Sequence, residues 1–223
     1  MTSMRDQVLD ALLHPFAASL LRWPQAGDAL FLRAREGAAL HAHGARGFAA
    51  TQPFKPEAER LQRIGAEMRD EDALPAAKFP LVLVLPPRQR EEARALLAKA
   101  CMAVAAGGIV IASVANDEGA KSREADLRQL AGSVTTLSKH HCRVFWTRPD
   151  AAFDAALLAQ WAKADAPRLQ KSADVPGDGF RTRPGVFAWD RVDAASKMLA
   201  DALPADLRGR NEGVGLPGPS PQD

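Results

Sequence analysis

Phe79-Pro80-Leu81-Val82-Leu83-Val84-Leu85-Pro86-Pro87 is the stretch that decides the fold. From Leu81 to Leu85 it is continuously apolar, not alternating. A strand wetted on one face alternates, whereas one covered on both faces does not. This segment is therefore expected as an inner strand of a parallel sheet with helices on both sides. The double proline ends it, because proline offers no N–H to a ladder. Glu91 to Ala106 follows as a predicted helix with Ala93, Leu96, Leu97, Ala100 and Val104 inward. Gly107-Gly108 is expected to stop that helix. Ile109 to Val114 is then a second buried strand, giving a strand–helix–strand unit of the right-handed, parallel kind.

Working outward, Asn116-Asp117-Glu118-Gly119 is turn chemistry, and Ala120 to Ala131 is a predicted helix ended by Gly132. Ser133 to Leu137 and Arg143 to Thr147 are expected strands with four to five residues between them, a hairpin spacing. Phe153 to Ala164 is one more helix. On the other side, Met4 to Leu21 has helical apolar spacing, with Pro15 as a possible break. Trp23-Pro24 and Ala26-Gly27-Asp28 form a turn before a short strand at Ala29 to Ala34. Arg35 to Arg46 has weak periodicity, and Thr51 to Pro56 is expected as a loop before a helix begun by Pro56. The expected class is α/β. A mainly parallel sheet that closes on an antiparallel hairpin is the layout of the Rossmann-like class I methyltransferase fold.

The 223 residues suit one large domain, or one domain and part of another. A 47% apolar and 25% charged composition is ordinary for a globular chain. The net charge of only +2 permits a local basic patch but is not that of a nucleic-acid coat. Cys101 and Cys142 make no disulfide framework, so a reduced, cytoplasmic setting is expected. No secretory leader and no apolar run long enough to span a bilayer is read, so no membrane partner is expected.

Two stretches carry a family resemblance. Arg183-Pro184-Gly185-Val186-Phe187-Ala188-Trp189-Asp190, with Asp193 and Ser196, resembles the PGVF…D-x-x-S lead-in of small-domain methyltransferases. Asn116-Asp117-Glu118-Gly119-Ala120-Lys121-Ser122, Ser138-Lys139-His140 and Cys142-Arg143-Val144-Phe145 resemble the N-terminal half of ribosomal RNA guanine-N2 methyltransferases of the RsmC type. The resemblance implies two tandem methyltransferase-like domains. The first is degenerate and holds no cofactor. The second binds S-adenosylmethionine and methylates a guanine amine. It implies boundaries at 1–165 for the degenerate domain, 166–182 for a linker, 183–210 for the opening of the catalytic domain and 211–223 for a disordered tail. The family's D-x-G-x-G cofactor turn and its Asn-Pro-Pro-Phe motif are both missing. Leu85-Pro86-Pro87 is the nearest approach to the latter, and leucine cannot accept a hydrogen bond from an amine. The change of composition at Asn211 is expected to reflect a frameshift or truncation. No catalytic residue, no cofactor bound by this chain and no metal are therefore expected.

The candidate function is that of a non-catalytic scaffold and RNA-positioning module of a ribosomal RNA methyltransferase. The alternatives are a stand-alone RNA-binding pseudo-methyltransferase module and a nucleotide-dependent enzyme on the same fold. The candidate RNA contacts are Lys121, Arg123, Lys139, Arg143 and Arg148, because 139–148 contains no acid. The other reading of that set is a solvated face. Pro184, Gly185, Val186, Phe187, Asp193 and Ser196 are the lead-in motif. Phe187 and Trp189 either stack on a base or pack a domain junction. His140-His141-Cys142 has too few ligands for a tetrahedral metal site and reads as a polar turn with a half-buried cysteine. Cys101 reads as core.

Overall fold

The computed structural model describes residues 6–24, 29–43, 47–172 and 179–203. A seven-stranded sheet is built from β1 (Ala29–Leu32), β2 (Ala49–Thr51), β3 (Glu67–Met68), β4 (Phe79–Val84), β5 (Val104–Ala115), β6 (Val134–Lys139) and β7 (Cys142–Thr147). Its order is β3-β2-β1-β4-β5-β7-β6. The pairs from β3 to β5 are parallel, and β7 runs antiparallel to both β5 and β6. The expected parallel sheet with a closing antiparallel hairpin is what the chain adopts.

The uninterrupted apolar run has the physical cause expected of it. Leu81, Leu83 and Leu85 join Phe31 and Ile111 in one core beneath α1 (Gln7–Ala17), α2 (Ala38–His43) and α3 (Lys55–Arg63). Val82 and Val84 join Leu30, Leu32, Val110 and Ala112 in a second core beneath α4 (Arg90–Ala103), α5 (Ala120–Ala131) and α6 (Ala155–Trp161). Alternate side chains thus serve opposite layers, and neither face is wet.

Local chemistry sets the helix ends. Asp6 Oδ1 accepts from the Val8 and Leu9 amides at 3.1 Å, and Asp154 caps α6 through the Leu157 amide at 3.0 Å. Pro15 does not break α1. It sits in the last turn, two residues before the helix ends. Gly119, at φ 87°, and Gly132, at φ 74°, bound α5 at the positions read from sequence.

Four expectations need correction. Gly107-Gly108 does not stop a helix: α4 has already ended at Ala103, and both glycines lie inside β5. There the ladder slips between Phe79↔Val104 and Leu81↔Ile109, a bulge that Gly107 enters at φ 77°. A Cβ on Gly108 would stand 2.7 Å from the Pro80 carbonyl oxygen, so close backbone approach explains that glycine. Thr51 ends β2 instead of opening a loop. The hairpin turn is two residues, His140 and His141, not four to five. Cys142 is fully buried, not half-buried, at 1% exposure.

His140 and His141 have φ of 52° and 57°, the backbone a type I′ turn requires. Non-glycine residues are strained there. Replacing them together, His140→Asn with His141→Gly, is expected to stabilise the fold by about 0.5–1 kcal/mol. Calorimetry should read this as a rise in Tm of about 1–4 °C. An unchanged Tm would show that the turn stores no strain.

Beyond α6, β8 (Arg168–Gln170) and β9 (Phe180–Thr182) pair antiparallel as a separate ribbon within the stretch expected as a linker. Asp193 then caps α7 (Ala194–Ala202) through the Ala195 and Ser196 amides at 3.1 Å. The turn expected at 26–28 and the tail expected at 211–223 lie outside the described residues. Among the described residues, no helix is long and apolar enough to cross a membrane.

Candidate functional site

The sheet order reverses between β1 and β4, and in open α/β sheets ligands sit beyond the carboxyl ends of the strands at such a reversal. A crevice of about 440 Å³ opens at this edge, with Arg33, Thr51, Glu71, Glu92 and Pro184 to Val186 on its walls. Arg33 follows β1 directly and holds φ 54°, a position where this fold needs a glycine to let a cofactor approach the backbone. Its guanidinium forks onto Glu71, with Nε–Oε2 at 2.8 Å and Nη2–Oε1 at 3.2 Å, and also meets Glu92 Oε1 at 2.9 Å. Burial pushes the Glu92 carboxyl above its usual range, and the charge on Arg33 opposes that rise.

The far wall comes from the other end of the chain. Pro184 is buried, and a Cβ on Gly185 would collide with the Glu92 carboxylate. Arg183 Nη2 meets Asp165 Oδ2 at 2.6 Å. Lys99 joins the same hub, with Asp72 at 2.6 Å and Asp165 at 3.2 Å. The hydrogen bond from Lys99 holds the Asp72 carboxyl below its usual range. The crevice is thus narrowed by these ion pairs and by residues 184–186.

A second feature stands at the same edge, where β4 hands over to α4. Asp126 of α5 is buried at 1% exposure. It receives Arg94 Nη2 at 2.9 Å and Arg90 Nη2 at 3.4 Å, and Arg123 Nη1 lies 3.8 Å away. Arg123 also donates to the Arg88 carbonyl at 2.7 Å, and Arg94 stacks 4.5 Å over Trp161. Arg88 reaches Glu118 at 3.4 Å. Four guanidiniums therefore share two carboxylates, which leaves an excess of two positive charges. Arg88 and Arg90 carry that excess outward, with side chains 76% and 59% exposed. An arginine cluster with this excess of charge is chemistry for an oxyanion, since the guanidinium fork matches two phosphate oxygens.

No family model matches the chain. The ribosomal RNA small subunit methyltransferase C of Psychromonas ingrahamii is 25% identical over 134 residues, which are 60% of this chain and 37% of that protein. Among solved structures, the T. thermophilus 16S rRNA N2 methyltransferase RsmC, in complex with AdoMet and guanosine, superposes with a TM-score of 0.68. That match is 18% identical and covers 90% of this chain and 52% of the other. The chain is similar to these RsmC proteins, in sequence over 134 residues and in fold over most of its length. It spans about half the length of that structure and a smaller share of the curated relative. The tRNA methyltransferase TrmI of Aquifex aeolicus also superposes, with a TM-score of 0.51, 11% identity and coverage of 69% of this chain and 74% of that one. The fold is that of the Rossmann-like class I methyltransferases, as expected from the hairpin at the end of the sheet.

The surface does not gather all the basic residues read from sequence. Arg123 is turned inward at 4% exposure. Arg143 pairs with Glu124, which also takes Arg128 and Thr136. Burial alone would raise the Glu124 carboxyl, but these partners hold it below its usual range. Arg148 is spent on Asp150 at 2.9 Å. Lys121 and Lys139 remain exposed, on α5 and on the hairpin. In the lead-in motif, Asp193 and Ser196 form a helix cap, Pro184 and Gly185 line the crevice, and Val186 and Phe187 are 52% and 83% exposed. Trp189 packs 4.4 Å beneath the Arg168 guanidinium. Arg88, Arg90 and Arg94 were missed. The available signal was a strand end followed by three arginines in seven residues, and the interleaved Glu91 and Glu92 masked it.

Proposed function

We propose that this chain is the non-catalytic scaffold and RNA-positioning module of a ribosomal RNA guanine-N2 methyltransferase. Residues 1–165 form the degenerate methyltransferase-like domain, 166–182 the connection, and 183–210 the opening of a catalytic domain that takes S-adenosylmethionine. Ribosomal RNA is the partner. One observation carries the reading: at a single edge of the sheet, a crevice crossed by its own ion pairs and narrowed by residues 184–186 stands beside an outward-facing arginine cluster. The first feature supports the loss of the cofactor, and the second supports a surface for phosphates. Similarity to RsmC proteins supports RNA as the source of those phosphates.

Calorimetry and RNA titration test this together. The chain should give no heat with S-adenosylmethionine or NAD, and it should bind a fragment of small-subunit ribosomal RNA with an affinity that falls steeply with salt. Micromolar binding of either cofactor would overturn the loss of the cofactor site. RNA binding that ignores salt, or no RNA binding, would overturn the positioning role.

A further inference from the structure

We propose that Arg183 to Val186 is an electrostatically latched strap whose release widens the crevice at the ends of β1 and β2. The strap has little apolar anchorage. Pro184 is its buried residue, Val186 and Phe187 project outward, and α7 beyond them has no buried residue among those described. A nine-residue helix without a packed face contributes little stability of its own.

The attachment instead runs through charge. Arg183 bridges Asp165 and Asp72, at 2.6 and 3.6 Å, and both carboxylates are shared with Lys99. Asp165 is 4% exposed in its side chain and cannot turn to water, so it fixes where Arg183 sits. Gly185, at φ 97°, lets the backbone pass over the Glu92 carboxylate while Arg33 holds that carboxylate still. The latch thus has a buried anchor and a cation that is 31% exposed. Salt weakens an attachment of this kind more than it weakens the apolar cores. Since the strap leads into α7, the latch also sets the direction in which the chain leaves the domain.

Hydrogen exchange of the intact chain tests the latch without RNA, so its failure would leave the proposed RNA contact untouched. Two amides report on the strap: Val186, which donates to the Arg183 carbonyl at 3.3 Å, and Trp189, which donates to the Val186 carbonyl at 3.2 Å. In Asp165→Asn and in Arg183→Gln both should exchange at least about tenfold faster, while β4 and β5 amides keep their protection. Raising salt from about 0.05 to about 1 M should accelerate them less in the unaltered protein, because the latch pairs are partly buried and only weakly screened. If Asp165→Asn also exposes β4 and β5, Arg183→Gln decides, because it leaves Asp165 paired with Lys99. Strap amides that keep their original rates in Arg183→Gln at both salt concentrations would overturn the proposal.

Discussion

Asp126→Ala is expected to lower the free energy of unfolding by about 3–5 kcal/mol, because it strands buried positive charge. Arg123 cannot escape to solvent, since its side chain is only 5% exposed. Its Nε already lacks a hydrogen-bond partner, so nothing nearby replaces the missing carboxylate. Arg90 can swing outward and Arg94 can fall back on the Trp161 ring, which limits the loss to the lower part of that range. Asp126→Asn keeps the shape but not the charge and should cost nearly as much. Urea unfolding followed by far-ultraviolet circular dichroism measures both. A loss below about 1 kcal/mol in the two variants would show that the arginines do not depend on this carboxylate.

The second large effect concerns RNA. Arg88→Glu with Arg90→Glu should weaken binding to a small-subunit ribosomal RNA fragment by about 10–100-fold at moderate salt. The slope of log affinity against log salt should fall by about 2, one for each phosphate that is no longer neutralised. Arg90→Glu sets a carboxylate beside buried Asp126 and Arg88→Glu one beside Glu118, so a stability loss of about 1–2 kcal/mol is expected, and far-ultraviolet circular dichroism checks that the variant is folded before titration. Lys121→Glu with Lys139→Glu makes the same change in charge on α5 and the hairpin. It separates the arginine cluster from a general charge effect. Equal losses in the two double variants would mean that net charge alone drives binding. An unchanged salt slope in Arg88→Glu with Arg90→Glu would remove the cluster from the RNA interface.

The two predictions pull on one piece of architecture. The carboxylate that stabilises the cluster also neutralises part of it, so stability and RNA affinity are set against each other at Asp126. If Asp126→Asn remains folded, it should bind RNA more tightly at low salt than the unaltered chain.

The limits of the sequence reading follow from where its signals came from. Glycine and periodicity are local, and they located α5 to the residue. Gly107 and Gly108 are equally local in sequence but carry two meanings. A glycine pair after a helix stops it or opens a bulge, and only the Pro80 carbonyl of the neighbouring strand chooses between them. β2 and β3, three and two residues long, are too short to show a period and exist because β1 offers β2 a parallel edge and β2 offers one to β3. The pairing of the basic residues was hidden for the same reason. Arg123 and Arg143 look free when charges are read along the chain, yet Asp126 and Glu124 claim them in space.

The amino-acid sequence by itself determined the strand at Leu81 to Leu85, its helical crossover to the next strand, the antiparallel closing hairpin and the lead-in motif at Pro184 to Phe187. Each rests on residues adjacent in the chain, whose burial pattern or backbone freedom is written locally. The tertiary structure alone decided that Arg33 pairs with Glu71 and Glu92 across the crevice, that Arg183 pairs with Asp165, and that Arg88, Arg90 and Arg94 gather into one cluster. Those partners come from separate strands and helices. The free energy of a charge depends on which opposite charge folding brings within a few ångströms, and no local pattern carries that information.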